Sequence, residues 1–196
     1  LASSSAVYAS STGSEPIKED YPMDPSSPYG QSKLLLEQMA KRYIEKNEMD
    51  IMLVRPFFLI GPRKVDDVCS AFARSIVAIE LGYRSNIEVG NLEIVRDFLD
   101  VRDGIEALYL IANKGITGES YNICSGVGYS LRAVLDIFKK QSKHTVNEKI
   151  DASKIRSIDE LVRIGDPEKI KMLGWQPLRE IETILSEILQ FWRSEE

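Results

Sequence analysis

The sequence predicts an α/β fold in which helices alternate with the strands of a mostly parallel sheet. Short apolar runs at 51–54 and 121–124 are typical of strands that are buried on both faces. The segments around them place apolar residues at helical spacing instead. With 196 residues, 43% of them apolar, and no internal repeat or low-complexity linker, the chain suits one domain with a sizeable core.

The individual elements follow from these patterns and from turn and cap residues. Strands are expected at residues 1–5, 51–56, 86–89, 96–100 and 121–124. Helices are expected at 28–46, at 66–81, from a cap at Asp100 or Asp103 to Gly115, at 131–140 behind Ser130, and at 178–193. Residues 6–27, rich in Ser, Pro and acidic side chains, are expected to form a loop.

Composition argues against several classes of function. The net charge is −5 and no basic tract occurs, so nucleic-acid binding has no electrostatic support. The longest apolar runs are too short to cross a bilayer. The two cysteines, Cys69 and Cys124, lie far apart, and His144 is the single histidine, so a metal cluster is not expected. We expect buried thiols in a cytoplasmic protein.

A tyrosine and a lysine lie one helical turn apart where the first long helix begins. Tyr29 and Lys33 follow Pro28, which suits the first position of a helix. An ammonium group favours the ionised form of a nearby phenol, so such a tyrosine can exchange a proton with a carbonyl or an alcohol. Taken alone, the pair is equally explained by a surface tyrosine beside a solvated lysine.

Other possible binding residues are weaker signals. Gly126-Val127-Gly128 lacks the third glycine of a dinucleotide fingerprint, because position 131 is leucine, and is interpreted as a strand-to-helix turn. Arg96 and Arg156 could each grip phosphate oxygens with a guanidinium fork. Surface ion pairs with Asp97 and Asp159 are the competing interpretation.

Several motifs in order resemble those of the extended short-chain dehydrogenases/reductases. The first are the serines at 3–5, Pro28-Tyr29 through Lys33, and Arg55-Pro56-Phe57 with Gly61-Pro62. Within that family, the segments 89–93, 96–103, 156–159 and 174–177 resemble the branch that acts on GDP-sugars. That branch includes GDP-mannose 4,6-dehydratases and GDP-4-keto-6-deoxy-mannose reductases. The likeness covers nearly the whole chain.

The resemblance implies the latter part of a Rossmann-like, doubly wound parallel sheet with a small C-terminal substrate-binding subdomain. Residues 1–85 would belong to the dinucleotide-binding domain, with its glycine-rich N-terminal half absent, and residues 86–196 mainly to the substrate-binding region. An NADP or NAD cofactor, a GDP-sugar substrate and a homodimer are expected. The wide apolar arc of the 28–46 helix would supply the dimer interface, although burial within one larger fold explains it as well.

The resemblance also implies roles for individual residues. Ser4 would hydrogen-bond the reacting sugar oxygen, Tyr29 would exchange its proton, and Lys33 would hold the nicotinamide ribose and lower the pKa of the tyrosine. Pro56 would contact the cofactor. The substrate-binding residues would be the following: Asn91, Arg96, Arg156 and Asp159.

Three departures from the family pattern refine the expected activity. Ala6 stands where dehydratases carry an acid, so simple reduction at the sugar C4 is favoured over dehydration. Phe58 stands where the family commonly has a substrate-binding asparagine. The glycine-rich N-terminal half is missing, so the chain is expected to be the latter part of a longer enzyme. Epimerase or dehydratase activity, and a non-catalytic nucleotide-sugar-binding module, remain the alternatives.

Overall fold

Helices and short strands alternate along the part of the chain that the computed structural model describes, which is residues 1–11, 13, 15–47, 49–155 and 160–195. The helices are α1 (Pro28–Asn47), α2 (Val68–Glu80), α3 (Val101–Lys114), α4 (Leu131–Gln141), α5 (Glu168–Lys171) and α6 (Ile181–Glu195). The strands are β1 (Leu53–Pro56), β2 (Phe58–Ile60), β3 (Asn86–Val89), β4 (Val95–Asp100), β5 (Ser120–Ile123), β6 (Gly128–Ser130), β7 (Asn147–Ile150) and β8 (Val162–Arg163).

The strands form small sheets, two of which are parallel pairs. Strand β1 pairs with β5, with Leu53 opposite Ser120, and β3 pairs with β7. A further sheet has the order β2-β4-β6, with β8 also paired to β4. Helices joining parallel strands confirm the predicted α/β class.

The strand predicted at residues 1–5 is reduced in the structure to a single bridge. Ala2 makes a single parallel bridge with Val54, and residues Ser5–Val7 then form one turn of 3-10 helix. The turn begins there because the Ser4 side chain accepts a hydrogen bond from the Ala6 N–H, which caps it.

Capping residues also set the helix boundaries. Asp67 has an extended backbone and accepts a hydrogen bond from the Ser70 N–H, so α2 begins at residue 68 rather than at the predicted 66. Asp100 is the cap of α3, and Ser130 caps α4 as expected. The last helix begins at residue 181 and not at 178, since the Leu178 N–H donates to a carboxylate oxygen of Asp103.

The chain divides into two compact units whose segments alternate in sequence. One contains Leu1–Leu59, Asp97–Gly128 and Val162–Leu178. The other contains Ile60–Arg96, Tyr129–Leu161 and Arg179–Glu196. The assignment of 1–85 to cofactor binding and of 86–196 mainly to substrate binding concerns roles, and it stays a prediction.

Each unit has its own core. In the first unit, one apolar cluster joins β1, α3, β5 and α5, and another lies beneath the loop that precedes α1. In the second unit, α2, α4 and α6 pack together. The apolar side chains at helical spacing in α6 are buried at Ile181, Ile184, Leu185 and Ile188. This burial removes apolar surface from water, which is the main favourable term in folding.

Candidate active site

The first turn of α1 presents a phenol and an ammonium side by side. The Ser27 hydroxyl accepts a hydrogen bond from the Gly30 N–H at 3.0 Å, which satisfies one of the unpaired donors at the helix start. One turn apart, Tyr29 and Lys33 lie close enough for the Lys33 Nζ to be 5.7 Å from the centre of the Tyr29 ring. Tyr29 is 56% exposed, so its hydroxyl is accessible from solution.

The Ser4 turn lies against this same end of α1. The Lys33 Nζ donates a hydrogen bond of 3.0 Å to the carbonyl oxygen of Ala2, two residues before Ser4. A Cβ atom on Gly30 would overlap the carbonyl oxygen of Ala6 and come within 2.8 Å of the Pro25 Cβ, so only glycine permits this approach. The structure therefore brings together the segments that carry Ser4, Tyr29 and Lys33.

A buried arginine in β1 contacts both α1 and the segment that follows Ser4. Arg55 is 2% exposed and donates to both carboxylate oxygens of Glu37 in α1, at 2.9 and 2.7 Å. Its Nη1 donates to the Tyr8 hydroxyl and to the Glu19 carbonyl, each at 2.9 Å. The Tyr8 hydroxyl in turn donates to Asn122 of β5 at 2.7 Å. The sequence analysis did not predict this network. The one indication of it in the sequence was an arginine within an apolar strand.

The electrostatics of the network favour an ionised pair. Burial opposes the ionisation of Glu37, but the hydrogen bonds from Arg55 outweigh it and hold the pKa of this carboxyl below its ordinary value. Burial likewise opposes the charge on Arg55, but the contacts with Glu37 and Tyr8 more than compensate, so the pKa of the guanidinium is raised. Burial raises the pKa of Tyr8 to about 12, so this phenol stays protonated as a donor.

A second buried carboxylate, which the sequence suggested only as a surface partner of Arg96, joins two loops of the first unit. Asp97 accepts hydrogen bonds from the N–H groups of Ser125, Gly126 and Gly165 at 2.7, 2.9 and 3.1 Å, and from the Ser125 hydroxyl. Burial raises the pKa of Asp97 above its ordinary value. Gly126 has a φ of 80°, which suits the turn predicted there, although that turn leads into β6 and not directly into a helix.

The remaining predicted site residues are dispersed along the chain. Pro56 is the last residue of β1. In the second unit, the Asn91 side chain accepts a hydrogen bond from the Glu93 N–H, and the Arg96 Nη1 donates to the Val95 carbonyl. Arg156 and Asp159 lie outside the described residues.

Phe58 packs against another aromatic ring, and both cysteines are buried. The Phe58 ring meets Phe98 edge-on, with centroids 5.9 Å apart, so it packs as an apolar residue where the family commonly has asparagine. Cys69 and Cys124 are buried free thiols, as predicted. Burial raises the pKa of both thiols.

Neither a metal cluster nor a membrane-spanning helix occurs in the described part of the chain. Its residues contain no group of three or more His, Cys, Asp or Glu side chains that could bind a metal ion. None of its helices is long and apolar enough to cross a membrane.

Comparison with known proteins gives relatives that act on nucleotide sugars. The chain is 30% identical to GDP-6-deoxy-D-mannose reductase of Pseudomonas aeruginosa over 182 residues, which is 91% of this chain and 60% of the relative. It is 31% identical to GDP-6-deoxy-D-talose 4-dehydrogenase of Aggregatibacter actinomycetemcomitans, covering 79% of this chain and 51% of the relative. The chain thus spans between half and three-fifths of the length of these relatives. Nucleotide-sugar 4-epimerases and 4,6-dehydratases are also among its relatives.

A solved structure and a family model extend the likeness over nearly the whole chain. The structure of RMD from Pseudomonas aeruginosa complexed with NADPH matches with a TM-score of 0.93 at 29% identity, over 100% of this chain and 66% of that one. The family model for GDP-mannose 4,6 dehydratase matches residues 1–188. The chain therefore belongs to the GDP-mannose 4,6 dehydratase family of extended short-chain dehydrogenases/reductases.

Proposed function

We propose that this protein is an NAD(P)-dependent reductase of a GDP-4-keto-6-deoxy-hexose and transfers hydride to the sugar C4. The observation that carries the proposal is the Ser4 turn lying against the start of α1, where Tyr29 and Lys33 stand together. Similarity to a GDP-6-deoxy-D-mannose reductase and a GDP-6-deoxy-D-talose 4-dehydrogenase supports a reaction at C4 of a GDP-sugar.

The hydroxyl groups of Ser4 and Tyr29 suit a developing alkoxide. A serine hydroxyl has one donor hydrogen and two acceptor lone pairs. Ser4 uses a lone pair to accept from the Ala6 N–H at 3.2 Å, so its hydrogen is available to a sugar oxygen. As negative charge develops on that oxygen, Ser4 stabilises it and Tyr29 delivers the proton that completes the alcohol.

The open face of α1 fits a nicotinamide cofactor. An ammonium has three donor hydrogens, and Lys33 gives one to the Ala2 carbonyl, which leaves donors for the hydroxyls of a ribose. Tyr29, Lys33 and Pro56 are the residues that would hold NADP or NAD. The cofactor supplies the hydride when bound.

Ala6 favours reduction over dehydration. Elimination of water needs a base that removes a proton from carbon, and a methyl side chain cannot act as one. The backbone N–H of Ala6 is used to position Ser4.

The GDP moiety would be bound by residues of the later part of the sequence. Arg96 and Arg156 suit the diphosphate, because a guanidinium fork matches two phosphate oxygens at once. Asn91 and Asp159 would contact the rest of the substrate. These assignments rest on the resemblance of the segments 89–103 and 156–159 to the GDP-sugar branch.

The assay that tests the proposal uses the purified full-length protein with NADPH or NADH and GDP-4-keto-6-deoxy-mannose. We expect oxidation of the cofactor and formation of one GDP-6-deoxy-hexose. Parallel reactions with GDP-mannose and with UDP-glucose are the controls. Turnover of GDP-mannose would instead indicate a dehydratase, interconversion of UDP-glucose an epimerase, and GDP binding without any turnover a non-catalytic module.

A homodimer through α1 accompanies this function. The side chains of Leu35, Met39 and Tyr43 follow one another at intervals of one turn and are 60%, 55% and 51% exposed. Exposed apolar stripes of this kind commonly mark interaction surfaces. The family resemblance favours a second copy of this chain as the occupant of the stripe.

The proposed location is the cytoplasm. Two free buried thiols are compatible with a reducing compartment. Fractionation of cells that produce the protein at its natural level tests this, and recovery in a secreted or membrane fraction would contradict it.

A further inference from the structure

Glu37 extends the line of Tyr29 and Lys33 along α1 into the protein interior. The three residues follow one another at intervals of one turn, so they share one side of the helix. Exposure falls along this line from 56% at Tyr29 to 1% at Glu37. The Glu37 carboxylate is bound by both Nε and Nη2 of Arg55, a two-point contact that fixes its orientation as well as its position.

The same guanidinium also holds the segment that follows Ser4. Its Nη1 is shared between the Tyr8 hydroxyl and the Glu19 carbonyl. Tyr8 lies four residues after Ser4, immediately beyond the turn that Ser4 caps. Arg55 therefore joins the segment that follows Ser4 to the helix of Tyr29, beside the backbone bridge by which the Ser4 segment already pairs with β1.

A contribution to stability alone does not explain this pair. Removing two charged groups from water is costly, and a well-packed apolar pair often gives equal or greater stability. Contacts between hydrocarbon groups have no preferred direction and permit sliding. The paired hydrogen bonds of a guanidinium fork are directional and do not permit it. The pair suits a place where two segments must keep one relative position.

We propose that Glu37 and Arg55 are positioning residues that set the Ser4 hydroxyl relative to Tyr29. This inference rests on the proposed reductase function. Neither residue touches the reacting atoms in this account. A misplacement of reacting groups by about 1 Å can lower a rate by about 100-fold, so loss of the fork should slow the chemical step without weakening substrate binding.

Arg55→Lys in the full-length protein is the first test. Lysine keeps the positive charge for Glu37 but cannot maintain the fork and the contacts to Tyr8 and Glu19 together. We expect kcat to fall by about 10- to 100-fold, with the KM for both substrates changed by less than about threefold. Ile111→Val is the control, because it trims a fully buried core residue of the same unit outside this network. An unchanged kcat in folded Arg55→Lys, or an equal loss in both variants, would overturn the inference.

A second readout does not depend on turnover. The NMR signals of Tyr29 and Ser4 should shift in Arg55→Lys and in Glu37→Gln, and should stay in place in Ile111→Val. If the wild-type protein reduces no 4-keto sugar while these signals shift, the proposed function fails and the positioning role stands. If the signals stay in place in both folded variants, the positioning role is wrong whatever the protein catalyses.

Discussion

Tyr29 is the residue whose chemistry the proposed reaction needs most. Phenylalanine keeps its ring and removes its hydroxyl, so Tyr29→Phe should lower kcat/KM by about 100- to 10,000-fold, the usual contribution of a general acid. The side chain is more than half exposed, so the fold should be unaffected. Steady-state kinetics with NADPH and the 4-keto sugar measure the effect.

Tyr109→Phe is the control, since this tyrosine lies on α3, outside the proposed site and the proposed dimer stripe, and is 74% exposed. It should retain wild-type activity. Equal activity in Tyr29→Phe and Tyr109→Phe would mean that the proton comes from elsewhere.

The sequence indicated some residues of the proposed site and not others, for a physical reason. Tyr29 and Lys33 could be found because their spacing is local and their chemistry is specific. Glu37 and Arg55 are separated by a loop and a strand boundary, so their contact depends on tertiary packing. The charge at Arg55 within an apolar run was the available signal, because a charge in a buried strand requires a partner.

At the level of elements, the close contact between the start of α1 and the Ser4 turn can be tested at Gly30. A methyl group there would meet backbone atoms of Ala6, which cannot move aside as a side chain could. We expect Gly30→Ala to lower the free energy of unfolding by about 1–3 kcal/mol, despite the better helix propensity of alanine. Chemical denaturation measures this.

Gly13→Ala is the control for Gly30→Ala. Among the residues that the structure describes, the Glu15 nitrogen, at 4.0 Å, is the nearest atom to a Cβ at Gly13, so stability should change by less than about 0.5 kcal/mol. A Gly30→Ala protein as stable and active as wild type would show that the turn and the helix are not in tight contact.

In the second unit, a carboxylate on α2 is joined to α6. Glu80 accepts two hydrogen bonds from Arg193, at 2.9 and 2.6 Å, and one from the Lys143 N–H. Arg193 in particular lowers the pKa of Glu80 below its ordinary value of 4.5. The unfolded chain therefore binds the proton more readily, so the stabilisation is present above that value and is lost as the pH falls through the lowered pKa.

Glu80→Gln should consequently lower the free energy of unfolding by about 1–3 kcal/mol near neutral pH. The difference from wild type should shrink as the pH falls from neutral through the lowered pKa of Glu80, because wild-type Glu80 then becomes protonated as well. Glu119→Gln, which removes a half-exposed partner of Lys169, should cost less than about 1 kcal/mol. Denaturation curves across this pH range provide the check, and a difference that grows toward acid would contradict the prediction.

The long helices were predictable, whereas the strands were predictable only where an apolar run or bounding turns mark them. Helices α1 to α4 and α6 show apolar spacing or caps over two or more turns, and β1, β3, β4 and β5 are apolar or bounded by turns. Strands β2, β6, β7 and β8 have two to four residues, and α5 has four. Such segments are too short to show a period, and they are stabilised by pairing with distant residues.

At the level of the whole molecule, the proposed homodimer has its interface at α1, between two copies of the chain. Met39→Glu would place a charge within the exposed apolar stripe, so we expect a monomer where wild type is a dimer. Met172→Glu is the matched control, since Met172 is 80% exposed and belongs to the end of α5. Size-exclusion chromatography with light scattering distinguishes them, and the same mass for wild type and both variants would refute an interface at α1.

The division of the chain into two units was beyond the reach of sequence patterns. Each unit is assembled from three separate segments, so no linker marks a boundary between them. The family resemblance predicted the fold class because several spaced motifs occur in order, whereas composition and periodicity alone indicate only alternating helices and strands.

The most direct test is a crystal structure of the full-length protein with NADP and the GDP-6-deoxy-hexose product. We expect the Ser4 Oγ and the Tyr29 hydroxyl both to lie within about 2.6–3.2 Å of the sugar O4. A sugar O4 in contact with neither hydroxyl, or hydroxyls that face opposite sides of the molecule, would contradict this expectation.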